Sequence, residues 1–191
     1  LPNDADLLIV ADTHQRERTG SVADHVSIDT PMIVIDHHIV RTEVPEHSYL
    51  DSTAAAVGEM VGELFVRTNT PLSPEAATAC YVALSTDTGC FRYSSTTSRS
   101  HEIAAKLIQA GASVGEVTDR VFDTMSPSKF ALLARVLDRV DMVAGGRAAI
   151  SQLTLRDLEE CEASHEDTDG LINFLRNVDG VEVAIFARET E

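Results

Sequence analysis

Lysine is almost absent from this 191-residue chain, which carries only Lys106 and Lys129, and tryptophan does not occur at all. Asp and Glu number 31 against 15 Lys and Arg, giving a formal net charge of -16, and no basic stretch of five or more residues exists. That balance excludes a protein that tracks along long duplex nucleic acid by counterion release. A surface so acidic and so poor in lysine matches proteins of salt-loving organisms, where carboxylates hold water and salt screens their repulsion; an ordinary acidic protein is the alternative. Cysteine is scarce too. Cys80, Cys90 and Cys161 are odd in number and lack Cys-x-x-Cys spacing, which argues against a disulfide framework or a zinc ribbon and points to a reducing, cytoplasmic compartment. No apolar run approaches the roughly 20 residues of a membrane helix, and no charged-then-apolar leader is present, so no membrane partner is expected.

What is present is enough apolar sequence, 43%, to bury one sizeable domain or one domain plus a fragment of a second. Asp6 to Ala11 is a short apolar run of the kind buried on both faces of a parallel sheet, and Met32 to Ile35 repeats it. The stretch between them shows no helical period and reads as a long loop with one short strand. Val57, Met60, Val61, Leu64 and Phe65 fall on one helix face, after the capping candidates Asp51, Ser52 and Thr53. Ser73-Pro74 starts a central helix over Glu75 to Leu84 that runs into Ser85-Thr86-Asp87-Thr88-Gly89. Ile103, Ala104, Leu107 and Ile108 mark another helix stopped by Gly111, and Ser113 with Glu116 forms a capping-box pattern for the next.

Ser126-Pro127 opens a helix whose apolar face, Phe130 to Val140, reads as a connector ending before Gly145-Gly146. Beyond it come a strand at Ala148 to Leu153, helices near Leu155 to Cys161 and Asp169 to Asn177, and a strand at Val181 to Ala187. The fold class expected is α/β: a parallel-sheet domain over 1–125, a connecting helix over 126–145, and the start of a smaller α/β domain over 146–191. No internal repeat, low-complexity tract or Gly-rich phosphate loop interrupts this order.

Three acidic residues share one feature. Asp12 and Asp36 each close a buried strand, and Asp87 follows a buried helix at the mouth of a loop. Ligands of open parallel sheets bind outside the carboxyl ends of strands, so these carboxylates can converge there. Any one of them alone reads as a turn or cap. Asp36-His37-His38 is more informative, because a carboxylate and two imidazoles closing an apolar strand need polar partners. Successive strand residues point to opposite faces, so both histidines reach one site only if the chain turns there. Carboxylate with imidazole and no thiolate suits Mn²⁺ or another hard-to-borderline divalent ion, with Mg²⁺ or Co²⁺ as alternatives.

Taken in order, Leu-Ile-Val-Ala-Asp12-Thr, Ile-Asp36-His37-His38, Asp51-Ser52-Thr53-Ala-Ala-Ala and Ser85-Thr86-Asp87-Thr88-Gly89-Cys-Phe91-Arg-Tyr93 resemble motifs two to four of the DHH phosphoesterases. Within them the chain is similar to the branch with a DHHA1 second domain, the nanoRNase or oligoribonuclease-like proteins. The resemblance implies two Mn²⁺ ions bridged by Asp12, with His37 and Asp87 completing the shell of one. It implies that His38 contacts the scissile phosphate and that Asp36 holds the histidine loop by hydrogen bonding. Arg92, Ser52, Thr53 and the Ser94 to Thr97 loop, Thr96 included, are candidates for a phosphate rim, the alternative being helix caps and a salt-bridging arginine.

The family's first motif, a His followed by an Asp-x-Asp pair, is not found, since residues 1–5 offer only Asp4, and the second domain stops before the family's Gly-Gly-Gly-His stretch. The expectation is therefore a fragment with little turnover of its own. The functions that follow are hydrolysis of short oligonucleotides or small nucleotides, or pyrophosphate or polyphosphate hydrolysis by the same chemistry. From another class comes a non-catalytic nucleotide-binding module. A homodimer is compatible with each.

Overall fold

The computed structural model describes residues 5–40 and 43–190; Asp4 lies outside them. The chain divides after Asp123 into two compact units.

The first unit is built on a parallel sheet of β1 (Leu8–Ala11), β2 (Met32–Asp36) and β3 (His47–Leu50), in that order. Val10 lies beside Val34 in register, and both are buried. The expectation that β1 is buried on both faces is not met: Leu7 and Ile9 are 45% and 61% exposed. Among the described residues β1 is an edge strand, and period-two alternation puts Leu7 and Ile9 on the face opposite Val10. The link from β1 to β2 contains no strand. It winds through a 3₁₀ turn (Arg16–Thr19) and one helical turn, α1 (Val22–His25), while Arg16 donates to the carbonyls of Val26 and Ser27.

Helices α2 (Val57–Arg67), α3 (Pro74–Asp87), α4 (Ser98–Gln109) and the single turn α5 (Val114–Val117) follow, the last running into a π turn over Thr118–Asp123. Ala56, Ala77, Leu84, Ile103 and Leu107 form their common core. The cap of α2 is Ala56, not Asp51, Ser52 or Thr53, because those residues form a separate turn, closed by the Ala54 N–H on the Asp51 carbonyl, and the chain is extended at Ala56 before the helix starts. Gly58 permits the close approach of α2 to α3: a Cβ there would lie 2.3 Å from the Cys80 carbonyl oxygen. Ser73 caps α3 by accepting from the Ala76 N–H, with Pro74 at the first helical position, as the sequence predicts. Ser113 makes no side-chain cap; its N–H donates to the Thr78 hydroxyl.

α3 continues past Leu84 to Asp87, and its exit is unusual. Gly89, Cys90 and Phe91 have φ of 56°, 57° and 62°, a turn of left-handed backbone closed by the Arg92 N–H on the Thr88 carbonyl (2.9 Å). Such residues cost roughly 1–2 kcal/mol each when not glycine. Thr88 is fully buried and braces the turn: its hydroxyl donates to the Leu84 carbonyl (2.6 Å) and accepts from the Phe91 N–H (3.1 Å). Gly89 also packs against Tyr93, whose ring atom would meet an added Cβ at 2.3 Å. Gly89→Ala therefore combines strain with a clash, and a loss of about 2–4 kcal/mol is expected in denaturant unfolding.

The second unit comprises α6 (Pro127–Asp138), β4 (Asp141–Val143), β5 (Ala148–Leu153), α7 (Leu155–Glu160), α8 (Ile172–Arg176) and β6 (Val183–Arg188). Its sheet runs β4-β5-β6, antiparallel then parallel. The helix read from sequence as a connector, α6, packs inside this unit, burying Leu132, Leu133 and Val136 with Ala149, Leu153, Leu171 and Leu175.

Asp157, 2% exposed, ties the unit together. It accepts both guanidinium arms of Arg139 (2.6 and 2.7 Å) and the backbone N–H and hydroxyl of Thr154, the α7 cap. The Arg139 hydrogen bonds outweigh burial and hold its carboxyl well below the ordinary range. A depressed folded value means stabilisation present above the unfolded pKa and lost as pH falls through the folded one. Asp157→Asn is expected to destabilise by about 2 kcal/mol near neutrality, with the gap to wild type closing in acid melts.

Candidate metal centre

β1 ends where Asp12 adopts φ 67°, its N–H donating to the Ile35 carbonyl (2.9 Å). A left-handed non-glycine residue is uncommon, is tolerated by Asp better than by most, and clusters at functional sites. β2 ends at Asp36, and the chain then turns so that the rings of His37 and His38 come together, 4.7 Å between centroids. The turn that the paired histidines require is thus present.

His37 is the hub. Its Nε2 lies 3.3 Å from Asp12 Oδ1 and 3.4 Å from Asp87 Oδ2, while Nδ1 lies 3.3 Å from the Ala54 carbonyl oxygen. A carbonyl can only accept, so Nδ1 carries the proton in that hydrogen bond, and Nε2 is the ring nitrogen that faces the two carboxylates. An unprotonated nitrogen between two anions is repelled until a cation, a proton included, intervenes. Burial first, and then Asp12, raise the Asp87 pKa above the ordinary range against the opposing pull of His37. One ligand atom from each of Asp12, His37 and His38 also falls within 4.8 Å of the others. Oxygen and imidazole donors without thiolate fit a divalent cation of the Mn²⁺ type.

Asp36 is fully buried and accepts three hydrogen bonds: at Oδ1 from the His38 N–H (3.1 Å) and His38 Nδ1 (2.7 Å), at Oδ2 from His14 Nδ1 (3.2 Å). Burial pushes its pKa up, but the hydrogen bonds from His38 and His14 prevail and hold it below the ordinary value. His14 has no counterpart in the sequence-based expectations. The available signal was its place two residues after Asp12, which points to nothing until β1 and β2 pair.

The rim candidates are scattered in role. Ser52 and Thr53 are exposed, and Thr53 folds onto Asp51 Oδ1 through its N–H (3.0 Å) and hydroxyl (2.6 Å). Arg92 Nε donates to the Gly89 carbonyl (2.7 Å), bracing the left-handed turn. The Thr96 hydroxyl oxygen is buried without a hydrogen-bond partner.

A parallel α/β sheet with Asp12 and Asp36-His37-His38 at its carboxyl ends and Asp87 at a helix end is the arrangement that the resemblance to DHH phosphoesterases implies. The chain's relatives are NrnA-type proteins. It is 32% identical over 166 residues to the bifunctional oligoribonuclease and PAP phosphatase NrnA of Thermus thermophilus, covering 87% of this chain and 49% of that protein. Identity is 28% over 188 residues to a probable bifunctional oligoribonuclease and PAP phosphatase NrnA of Streptococcus mutans, covering 97% and 59%. The chain thus spans about half to three-fifths of these relatives. No family model matches it.

Among solved structures, an exopolyphosphatase-related protein from Bacteroides fragilis superposes with a TM-score of 0.87 at 24% identity, over 98% of this chain and 56% of that one. A putative family II inorganic pyrophosphatase from Methanococcus jannaschii gives 0.52 at 20%, over 96% and 64%. These two speak to the fold alone. Among the described residues, no helix is long and apolar enough to cross a membrane.

Proposed function

We propose that the chain carries the catalytic domain of a divalent-metal-dependent phosphoesterase acting on short oligoribonucleotides or on small nucleotides such as PAP. The observation that carries this reading is His37 Nε2 placed between the carboxylates of Asp12 and Asp87, with Nδ1 held by the Ala54 carbonyl. Relatives named as oligoribonuclease and PAP phosphatase support the substrate class. Asp12, His37 and Asp87 would hold a divalent ion, Mn²⁺ by donor type. A bound divalent ion would neutralise charge on the phosphoryl oxygens and acidify a water.

The chain's own residues supply the rest. Asp36, kept ionised, fixes His38 through Nδ1, which leaves the other nitrogen of a half-exposed ring to contact the phosphate or hand a proton to the leaving oxygen. The second unit, proposed to be DHHA1-like, would help bind the substrate.

The test is release of mononucleotide from a 5′-phosphorylated diribonucleotide by the intact protein, with and without Mn²⁺. Cleavage that requires the ion is expected. Cleavage undiminished in chelator would overturn the metal-dependent reading, and release of orthophosphate from pyrophosphate alone would replace the substrate class.

A further inference from the structure

Arg99 stands in the first turn of α4 and reaches three carboxylates of the α2 region. It donates through Nη1 to Asp51 Oδ2 (2.6 Å) and through Nη2 to Glu63 Oε2, and its Nε lies 3.8 Å from Glu59 Oε2. Glu59 is fully buried, and its Oε2 accepts the Ala55 N–H (2.8 Å) while Oε1 has no hydrogen-bond partner. A buried carboxylate with one orphaned oxygen is tolerable only beside a cation. Arg99 is the cation the structure places there.

The segment these groups pin is the one that holds His37. Asp51 anchors its start: the Asp51 N–H donates to the Asp36 carbonyl (3.1 Å), the Thr53 N–H to Asp51 Oδ1, and the Ala54 N–H to the Asp51 carbonyl (3.1 Å). Glu59 anchors its end at the Ala55 N–H. Between the two fixed points lies the Ala54 carbonyl, which accepts from His37 Nδ1. Asp36, which orients His38, shares the same backbone link.

We infer that Arg99 is a positioning residue for this site: by hydrogen-bonding Asp51 and placing its charge beside the buried Glu59 it fixes the Ala54 carbonyl, and that carbonyl holds His37 in the Nδ1–H tautomer with Nε2 turned to Asp12 and Asp87. The inference rests on the proposed metal centre for its consequence but not for its geometry. Arg99→Lys keeps the charge and loses the planar fork that serves several oxygens at once. Residues that orient metal-binding histidines are worth about 10–100-fold in metal affinity.

The experiment reads the His37 ring nitrogens by ¹⁵N NMR in the intact, metal-free protein, well above the pH range in which imidazoles charge. The Nδ1–H tautomer is expected in the parent, and a mixture of tautomers in Arg99→Lys, with Mn²⁺ affinity lowered about tenfold or more. Asp51→Asn removes one arm of the clamp more gently and serves if Arg99→Lys does not fold; it should move the same signals the same way. A folded variant whose His37 tautomer matches the parent would overturn the inference. Failure of the parent to bind Mn²⁺ would instead sink the metal reading, and the tautomer comparison would still decide the role of Arg99.

Discussion

Asp87→Asn is expected to lower kcat/KM on a short oligoribonucleotide by roughly 10³-fold or more, about 4 kcal/mol of transition-state stabilisation. The substitution removes one of the two anions that face His37 Nε2 and leaves the shape of the α3 terminus intact. Stability should move the other way. In the metal-free protein the Asp87 carboxylate is penalised by burial and by Asp12, so the neutral amide should hold or raise the melting temperature. Lost activity with retained stability is the signature of a residue placed for function. A variant that unfolds would show Asp87 to be structural, and one with near-parental rates would remove it from the site.

Asp36→Asn should have the second largest effect, a fall in kcat of about 10–100-fold with little change in KM. The amide oxygen can still accept from His38, but the amide nitrogen confronts His14 Nδ1, so one of the two histidines must let go or change tautomer. Steady-state kinetics with the melting temperature recorded alongside decide it. If kcat is unchanged, Asp36 merely ends β2.

Much of the candidate site was legible because polar groups closing apolar strands have few structural uses. Asp12, Asp36, His37 and His38 follow short apolar runs, and Asp87 follows a helix whose start at Ser73-Pro74 is marked by cap and proline. The groups that orient them were not legible. His14 meets Asp36 across 22 residues and Arg99 meets Asp51 across 48, so neither pairing leaves a local pattern.

The same limit shaped the fold. β3, His-Ser-Tyr-Leu, is short and polar and becomes a strand only by pairing with β2. β4, three residues long, becomes one by pairing with β5. The left-handed turn after Thr88 could be suspected at Gly89 but not at Cys90 or Phe91, where the buried Thr88 hydroxyl imposes it. Asp51, Ser52 and Thr53 look like a helix start and instead form the platform beneath Ala54.

The central claim is that Asp12, His37 and Asp87 together hold a divalent cation, and Mn²⁺ titration of the intact protein followed by electron paramagnetic resonance tests it most directly. Binding is predicted in the parent, weakened at least about tenfold in Asp12→Asn. Equal affinity in parent and variant, or no binding in either, would contradict the account.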